Sequence, residues 1–375
     1  MKKILIFVVA VIALVFVITY GLSRHNHVEP NDKNEKKISG RVAEEDIDYK
    51  TIENKKDPVY KKIDEYLKKE NFNGAISIYH KGKLKMDKGY GFQDFATAKK
   101  ASPNTMYLIG SAQKFTTGLM LKKLETEGKV NINDPITKYL PWFKTEKPIY
   151  LKDLMLHRSG LKKYKPIDQI HDIDGAAKLL HREGIQPGMY HKHMYNDGNY
   201  IILARVIEAV TKESYAKAFN QMIAEPYQLH RTAFYNDLAF DPYMAKGYNE
   251  VKDLETPRFL DQYYGAGNLY MAPKDMAKLV IELQRDKIFS KKVTDPLLNE
   301  VKTKDYPGSY RYGFYSYGKE HRINGNFFGQ QMTSYFNNDY IVVMGNNYQN
   351  PVGKNEDMLH HIYVDILHQT SHYKK

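Results

Sequence analysis

The sequence predicts a mixed α/β protein of the α+β type. One antiparallel sheet comes from both chain ends with helices flanking it, a mostly helical lobe lies between, and the active site falls in the seam. Three observations carry this. Residues 75–79 and 84–90 read as two strands around a His80-Lys81-Gly82-Lys83 turn. Strand patterns return near the other end, at 310–317, 327–336 and 339–346. The middle, roughly 103–285, is dominated by helical periodicity, at 111–127 (closed by Gly128), 149–157, 199–212 and 273–285. Tyr60, Ile63, Tyr66 and Leu67 recur at helical spacing through 58–70, and a last helix is expected over 355–369. Strands at both ends with helices between imply a sheet completed only when the termini meet, and a cleft where the two lobes join.

The chain has 375 residues with 56 Lys+Arg against 44 Asp+Glu, a formal charge of +12. A 42% hydrophobic and 27% charged composition excludes a wholly disordered or multi-pass membrane chain. Cysteine is absent, which removes disulfides, Cys-ligated metals and a thiol nucleophile. Met1-Lys2-Lys3 precedes an unbroken apolar run from Ile4 to Ile18, with no small-residue cleavage pattern before Arg24. Residues 1–22 are therefore expected to be an uncleaved membrane anchor with the rest outside the cell. Residues 23–57 read as a polar flexible stalk, and 58–370 as the folded body. An extracytoplasmic body without cysteine fits a Gram-positive envelope. Its positive charge then points to anionic wall polymers and away from nucleic acid.

The chemistry begins at Gly110-Ser111-Ala112-Gln113-Lys114. A serine and a lysine one helical turn apart share a face, and a desolvated lysine can give up its proton and take that of the serine. Ser-x-x-Lys also occurs at Ser159/Lys162, Ser214/Lys217, Ser316/Lys319 and Ser371/Lys374, so the bare pattern decides nothing. Ser111 alone follows a short apolar stretch and opens a long amphipathic helix. The bland alternative is that Ser111 is only a helix cap. A second constellation, His193-Met194-Tyr195-Asn196-Asp197-Gly198, precedes the helix at 199–212. Tyr195 there can relay a proton to a leaving group, and Asp197 can accept a hydrogen bond, pair with a substrate cation, or simply cap the helix. His191-x-His193 lacks a third ligand at zinc-like spacing, and the aromatics of 310–336 suit sheet packing better than base stacking. No cofactor or metal is expected.

Gly110-Ser111-x-x-Lys114, Leu154 to Leu161 with His157-Arg158-Ser159-Gly160, Tyr195-x-Asp197, Gly265 to Tyr270 and Pro273-x-Asp275-Met276 together resemble, in order, the serine β-lactamase and penicillin-binding-protein superfamily, its class C-like branch. The similarity spans roughly 58–368. Residues 108–115, 192–200 and 261–270 are closer still to the membrane-associated esterases of that superfamily that remove D-alanine from teichoic acids. The resemblance implies Ser111 as acylated nucleophile, Lys114 as its base and Tyr195 as second proton-transfer group. It also implies Asp197 in a place usually held by asparagine, where a carboxylate can pair with the ammonium of a D-alanyl ester. The third motif of the superfamily, Lys or His-x-Gly, is reduced to Ile323-Asn324-Gly325. By the same resemblance Gly325 lets substrate approach, and the backbone amides of Ser111 and Asn326 form an oxyanion hole. A D-alanyl-D-alanine peptidase, a β-lactam-acylated or β-lactam-hydrolysing protein, and a non-catalytic wall-polymer binder remain the alternatives.

Overall fold

Helix α1, Pro58–Lys69, starts where Asp57 accepts a hydrogen bond from the Val59 amide and Pro58 pre-sets the first turn. Its Tyr60, Ile63 and Leu67 face the sheet. The computed structural model describes Ala43 and residues 49–348 and 354–372. The expected anchor and most of the expected stalk lie outside the described residues. Tyr49 and Ile52, within the span expected to be a stalk, pack on the body: Ile52 pairs with Asp87 through two backbone hydrogen bonds of 2.8 and 2.9 Å, and the Tyr49 hydroxyl bonds Asp275.

Strands β1 (Gly74–His80) and β2 (Lys83–Tyr90) form the expected first hairpin. The middle of the chain supplies helices α2 (Gln113–Thr126), α3 (Ile173–Glu183), α4 (Asp197–Thr211) and α5 (Pro273–Gln284). The tail adds β3 (Tyr310–Arg311), β4 (Phe314–Ser316), β5 (His321–Phe327), β6 (Gln330–Phe336) and β7 (Tyr340–Asn346). Helix α6, Lys354–His360, then continues as a wider turn through Ile366. The main sheet runs β2-β1-β7-β6-β5-β4-β3, with β1 antiparallel to β7 from Gly74 opposite Asn346 to His80 opposite Tyr340. The sheet is thus completed by both chain ends, as the patterns predict.

Both sheet faces are covered. Ile76 and Ile78 of β1 and Val342 and Met344 of β7 meet α1 and α6. The alternating Ala75, Tyr79, Ile341 and Val343 belong to the larger core shared with α2, α4 and α5. Two expectations need correction. Helix α2 is not amphipathic: Phe115, Thr116, Thr117, Leu119, Met120 and Leu121 are all buried, because the helix runs between the sheet and the helical lobe. The tail strand expected from 327 is a hairpin, β5 and β6, joined at Phe328-Gly329, both with positive φ (46° and 69°). Asn324-Gly325 resembles a turn signal but lies inside β5.

Beneath β2, Asp87 is 1% exposed and accepts a 2.6 Å hydrogen bond from the Ser77 hydroxyl. Burial pushes its carboxyl up to about 7, although the Ser77 bond and the Lys274 ammonium pull it down. A carboxyl whose folded value lies above its unfolded value of about 3.9 contributes stability below that lower value, and the contribution is lost as pH rises through 7. Asp87→Asn removes the ionisation. It is expected to raise Tm by several degrees at pH 8 and to leave it nearly unchanged at pH 4, read by thermal unfolding at the two pH values.

Candidate active site

Ser111 lies in a single tight turn, Gly110–Ala112, that leads into α2 from the inner end of the small sheet strand Tyr107–Leu108. Its side chain caps neither this turn nor α2, which sets aside the cap alternative. Lys114, one turn on, is fully buried, and its Nζ donates to Ser111 Oγ (3.0 Å), Asp197 Oδ1 (2.7 Å) and the Ala266 carbonyl (2.9 Å). Three acceptors match the three protons of an ammonium.

Tyr195 and Asp197 come from the entry to α4. The helix cap is Asn196, whose Oδ1 accepts from the Gly198 amide at 3.0 Å, so Asp197 is free of that duty and turns toward Lys114. The Tyr195 hydroxyl donates to Ser111 Oγ at 2.7 Å. The four residues expected at the centre of the site thus converge on one oxygen and one nitrogen.

Lys114 is desolvated, as expected, but in this resting arrangement its charge has a partner. Burial by itself lowers the Lys114 value, but the Asp197 carboxylate and the Tyr195 phenol outweigh it and hold the ammonium up to about 12. Asp197, a third exposed on its side chain, is paired with Lys114 and is not waiting empty for a substrate cation.

Two further groups had no role in the sequence reading. The Gly265 to Tyr270 tract curls around α2. Ala266 offers its carbonyl to Lys114, and the Asn268 and Leu269 amides donate to Gln113 Oε1 at 2.6 and 3.1 Å. His157 is 1% exposed, with its ring centroid 4.3 Å from that of Tyr195. The Asn196 amide (3.3 Å) and Asn199 Nδ2 (3.0 Å) both approach its Nδ1, so the ring proton belongs on Nε2, 3.2 Å from the Tyr310 hydroxyl. Burial and the nearby Lys114 charge push this imidazole well below its ordinary value, so it stays neutral behind the Tyr195 ring. A histidine before Arg158-Ser159-Gly160 carried no chemical signal because the hydrogen-bond partners of its ring are 39 or more positions away.

The sheet closes the site through β5. A Cβ on Gly325 would fall 2.2 Å from both the Ala112 amide nitrogen and the Ile109 carbonyl oxygen, and 2.6 Å from the Ser111 amide nitrogen. A Cβ on Gly110, at φ +49°, would meet the Asn326 carbonyl oxygen at 2.7 Å. These contacts put the Gly325 and Asn326 backbone directly against the Ser111 turn, while the Asn326 side chain is exposed. Upstream, His321 is buried against Phe336, Arg322 is held by Glu356 at 2.5 and 2.8 Å, and Ile323 is fully buried. No basic side chain of this strand reaches the cleft. Gly325→Ala is expected to cost about 1–3 kcal/mol of stability and most turnover at Ser111, measured by denaturant unfolding and by initial rates.

Three of the four other Ser-x-x-Lys serines have structural work. The Ser214 hydroxyl caps a short helix through the Lys217 amide, Ser159 donates to Asn199 at 2.6 Å, and Ser316 bonds the Leu298 carbonyl.

Comparison with known proteins adds the family. A teichoic acid D-alanine hydrolase of Staphylococcus aureus is 52% identical over 382 aligned residues, covering 99% of this chain and 95% of that protein. The crystal structure of FmtA from Staphylococcus aureus superposes with a TM-score of 0.86 at 52% identity, over 92% of this chain and 98% of the other. A penicillin-binding protein from Bacillus halodurans shares the fold at 19% identity, with a TM-score of 0.68 over 80% of this chain and 98% of that one. The Beta-lactamase family model matches residues 59–364, nearly the whole folded body, and the chain belongs to that family of hydrolases.

Proposed function

We propose that the protein is a serine esterase of the cell envelope that releases D-alanine from teichoic acids through an acyl-enzyme on Ser111. One observation carries the reading: the Tyr195–Ser111–Lys114–Asp197 chain of hydrogen bonds, in a protein half identical along its length to a teichoic acid D-alanine hydrolase.

In this reading the ester carbonyl lies over Ser111, with the amides of Ser111 and Asn326 facing the developing oxyanion and Gly325 leaving room for the approach. The D-alanyl ammonium enters beside Asp197 and competes with Lys114 for that carboxylate. With the carboxylate shared, burial dominates at Lys114 and favours loss of its proton to the water in the open cleft before the substrate closes over it. The neutral amine still donates to Asp197 and Ala266 and now accepts from the Ser111 hydroxyl, so the contact with serine reverses direction. The serine oxygen attacks the carbonyl, and its proton passes to Lys114. Tyr195 gives its proton to the departing polyol oxygen and is left as a phenolate beside the Lys114 ammonium. Water then enters and loses a proton to that phenolate, and Lys114 returns its proton to Ser111 Oγ as D-alanine leaves.

The missing basic residue on β5 favours a substrate with no free carboxylate at the cleaved D-alanine. β-Lactams and D-alanyl-D-alanine peptides carry one, so their acylation of Ser111 is expected to be slow. The apolar run 4–18 behind two lysines supports a single-pass anchor with the body outside the cytoplasm. The described residues contain no helix long and apolar enough to cross a membrane. The test offers the full-length protein D-alanylated lipoteichoic acid, a D-alanyl-D-alanine peptide and a labelled penicillin. Release of D-alanine from the polymer well ahead of the other two supports the reading, and preference for the peptide or the drug overturns it.

A further inference from the structure

Two hollows are lined by successive residues of the segment that leads to Tyr195. One, about 600 Å³, is lined by Lys162, Lys163, Lys165 and Met194. The other, about 460 Å³, is lined by Arg158, His191, His193 and Tyr310. His193 and Met194 are consecutive and each faces a different hollow, so the ridge that carries Tyr195 divides them. Both walls are tied to that ridge. The Tyr164 amide donates to Asn196 Oδ1 at 3.0 Å, and Asn196 Nδ2 donates to the Leu161 and Lys162 carbonyls at 2.9 Å. Across the ridge, the His157 ring lies 6.3 Å from His193 and 5.0 Å from Tyr310.

Charge in the hollows is mostly unspent. Glu183 approaches Lys162 at 3.5 Å, while Lys163 and Lys165 form no ion pair among the described residues. Asp153 lies 3.5 Å from His191 Nε2. Arg158 forms no ion pair among the described residues and uses its Nε on the His191 carbonyl at 2.9 Å. Each hollow therefore holds cationic donors on a scaffold fixed to the catalytic loop.

We infer that the two hollows are subsites for successive phosphodiesters of a polyol-phosphate chain that crosses the Tyr195 ridge, an inference that rests on the esterase reading of this site. In such a polymer the alanylated polyol stands between two phosphates. An ester carbonyl held over Ser111 places one phosphate on each side of the ridge, and each meets a hollow with matching charge. The polymer is bound along its length and not by an end.

The test uses the full-length chain, the pair Lys163→Gln with Lys165→Gln, and separately the pair Arg158→Gln with His193→Gln. Substrates are D-alanylated poly(glycerol phosphate) and the single ester D-alanyl-glycerol. Each pair is expected to raise KM for the polymer roughly tenfold, with kcat and all monoester kinetics unchanged. Added salt should weaken parent activity on the polymer and hardly affect the monoester. An unchanged polymer KM, an effect confined to one hollow, or equal shifts on the monoester overturns the inference. Failure of the parent on both esters overturns the esterase reading instead. The hollows are then read by retention of unalanylated poly(glycerol phosphate) on the Ser111→Ala chain with and without each pair, where unchanged binding overturns them.

Discussion

Ser111→Ala is expected to lower D-alanine release from alanylated polymer by at least about a thousandfold while leaving the fold intact. The Ser111 side chain caps no helix and, among the described residues, is hydrogen-bonded only by Lys114 and Tyr195, so its loss removes the nucleophile without opening a core. The ammonium of Lys114 keeps Asp197 and Ala266 as acceptors, and no buried charge is stranded. Thermal unfolding should therefore barely move while turnover collapses. Mass spectrometry of the parent mixed with substrate should find the D-alanyl adduct on the peptide bearing Ser111. An adduct elsewhere, or undiminished release by the variant, would sink the assignment.

Asp197→Asn is expected to change activity in opposite directions on two substrates. For a D-alanyl ester the variant loses the partner of the substrate ammonium, and kcat/KM should fall about a hundredfold. For an acetyl ester of the same alcohol no ammonium is present. There the variant removes the main group that holds Lys114 up near 12, so burial, acting downward, prevails and the neutral amine is more populated at pH 7. The acid limb of the pH–rate profile should move to lower pH, and the acetyl ester should be cleaved faster than by the parent. A parallel loss on both esters would show that Asp197 serves only to hold Lys114 in place.

Much of this site was legible in the sequence because its strongest signals are local. Ser111 and Lys114 are one helical turn apart, and Tyr195 and Asp197 are two positions apart on a loop before a helix, but the same Ser-x-x-Lys spacing recurs four times, so context and the ordered superfamily motifs singled these residues out. The ends-to-ends sheet was legible for the same reason, since the first hairpin and the last strand announce themselves by short apolar runs between turn signals. What spacing does not carry is who meets whom across long separations. Asp197 finds Lys114 over 83 positions, and the carbonyl of Ala266 over 152. The sequence reading offered Asp197 to the substrate because it lacked this pairing. The β5 strand was misread for a related reason. Asn324-Gly325 has turn chemistry, and only contact with Ile109–Ala112 explains why a glycine is needed in mid-strand.

The register of β1 against β7 has a consequence for the birth of the protein. A ribosome delivers β1 and β2 early, yet the partner of β1 is among the last segments made, and β5, which walls the Ser111 turn, precedes it only slightly. Until those strands arrive, β1 has an open edge and the nucleophile has no opposing wall. A nascent chain that still lacks β5 to β7 is thus expected to be hydrolytically silent.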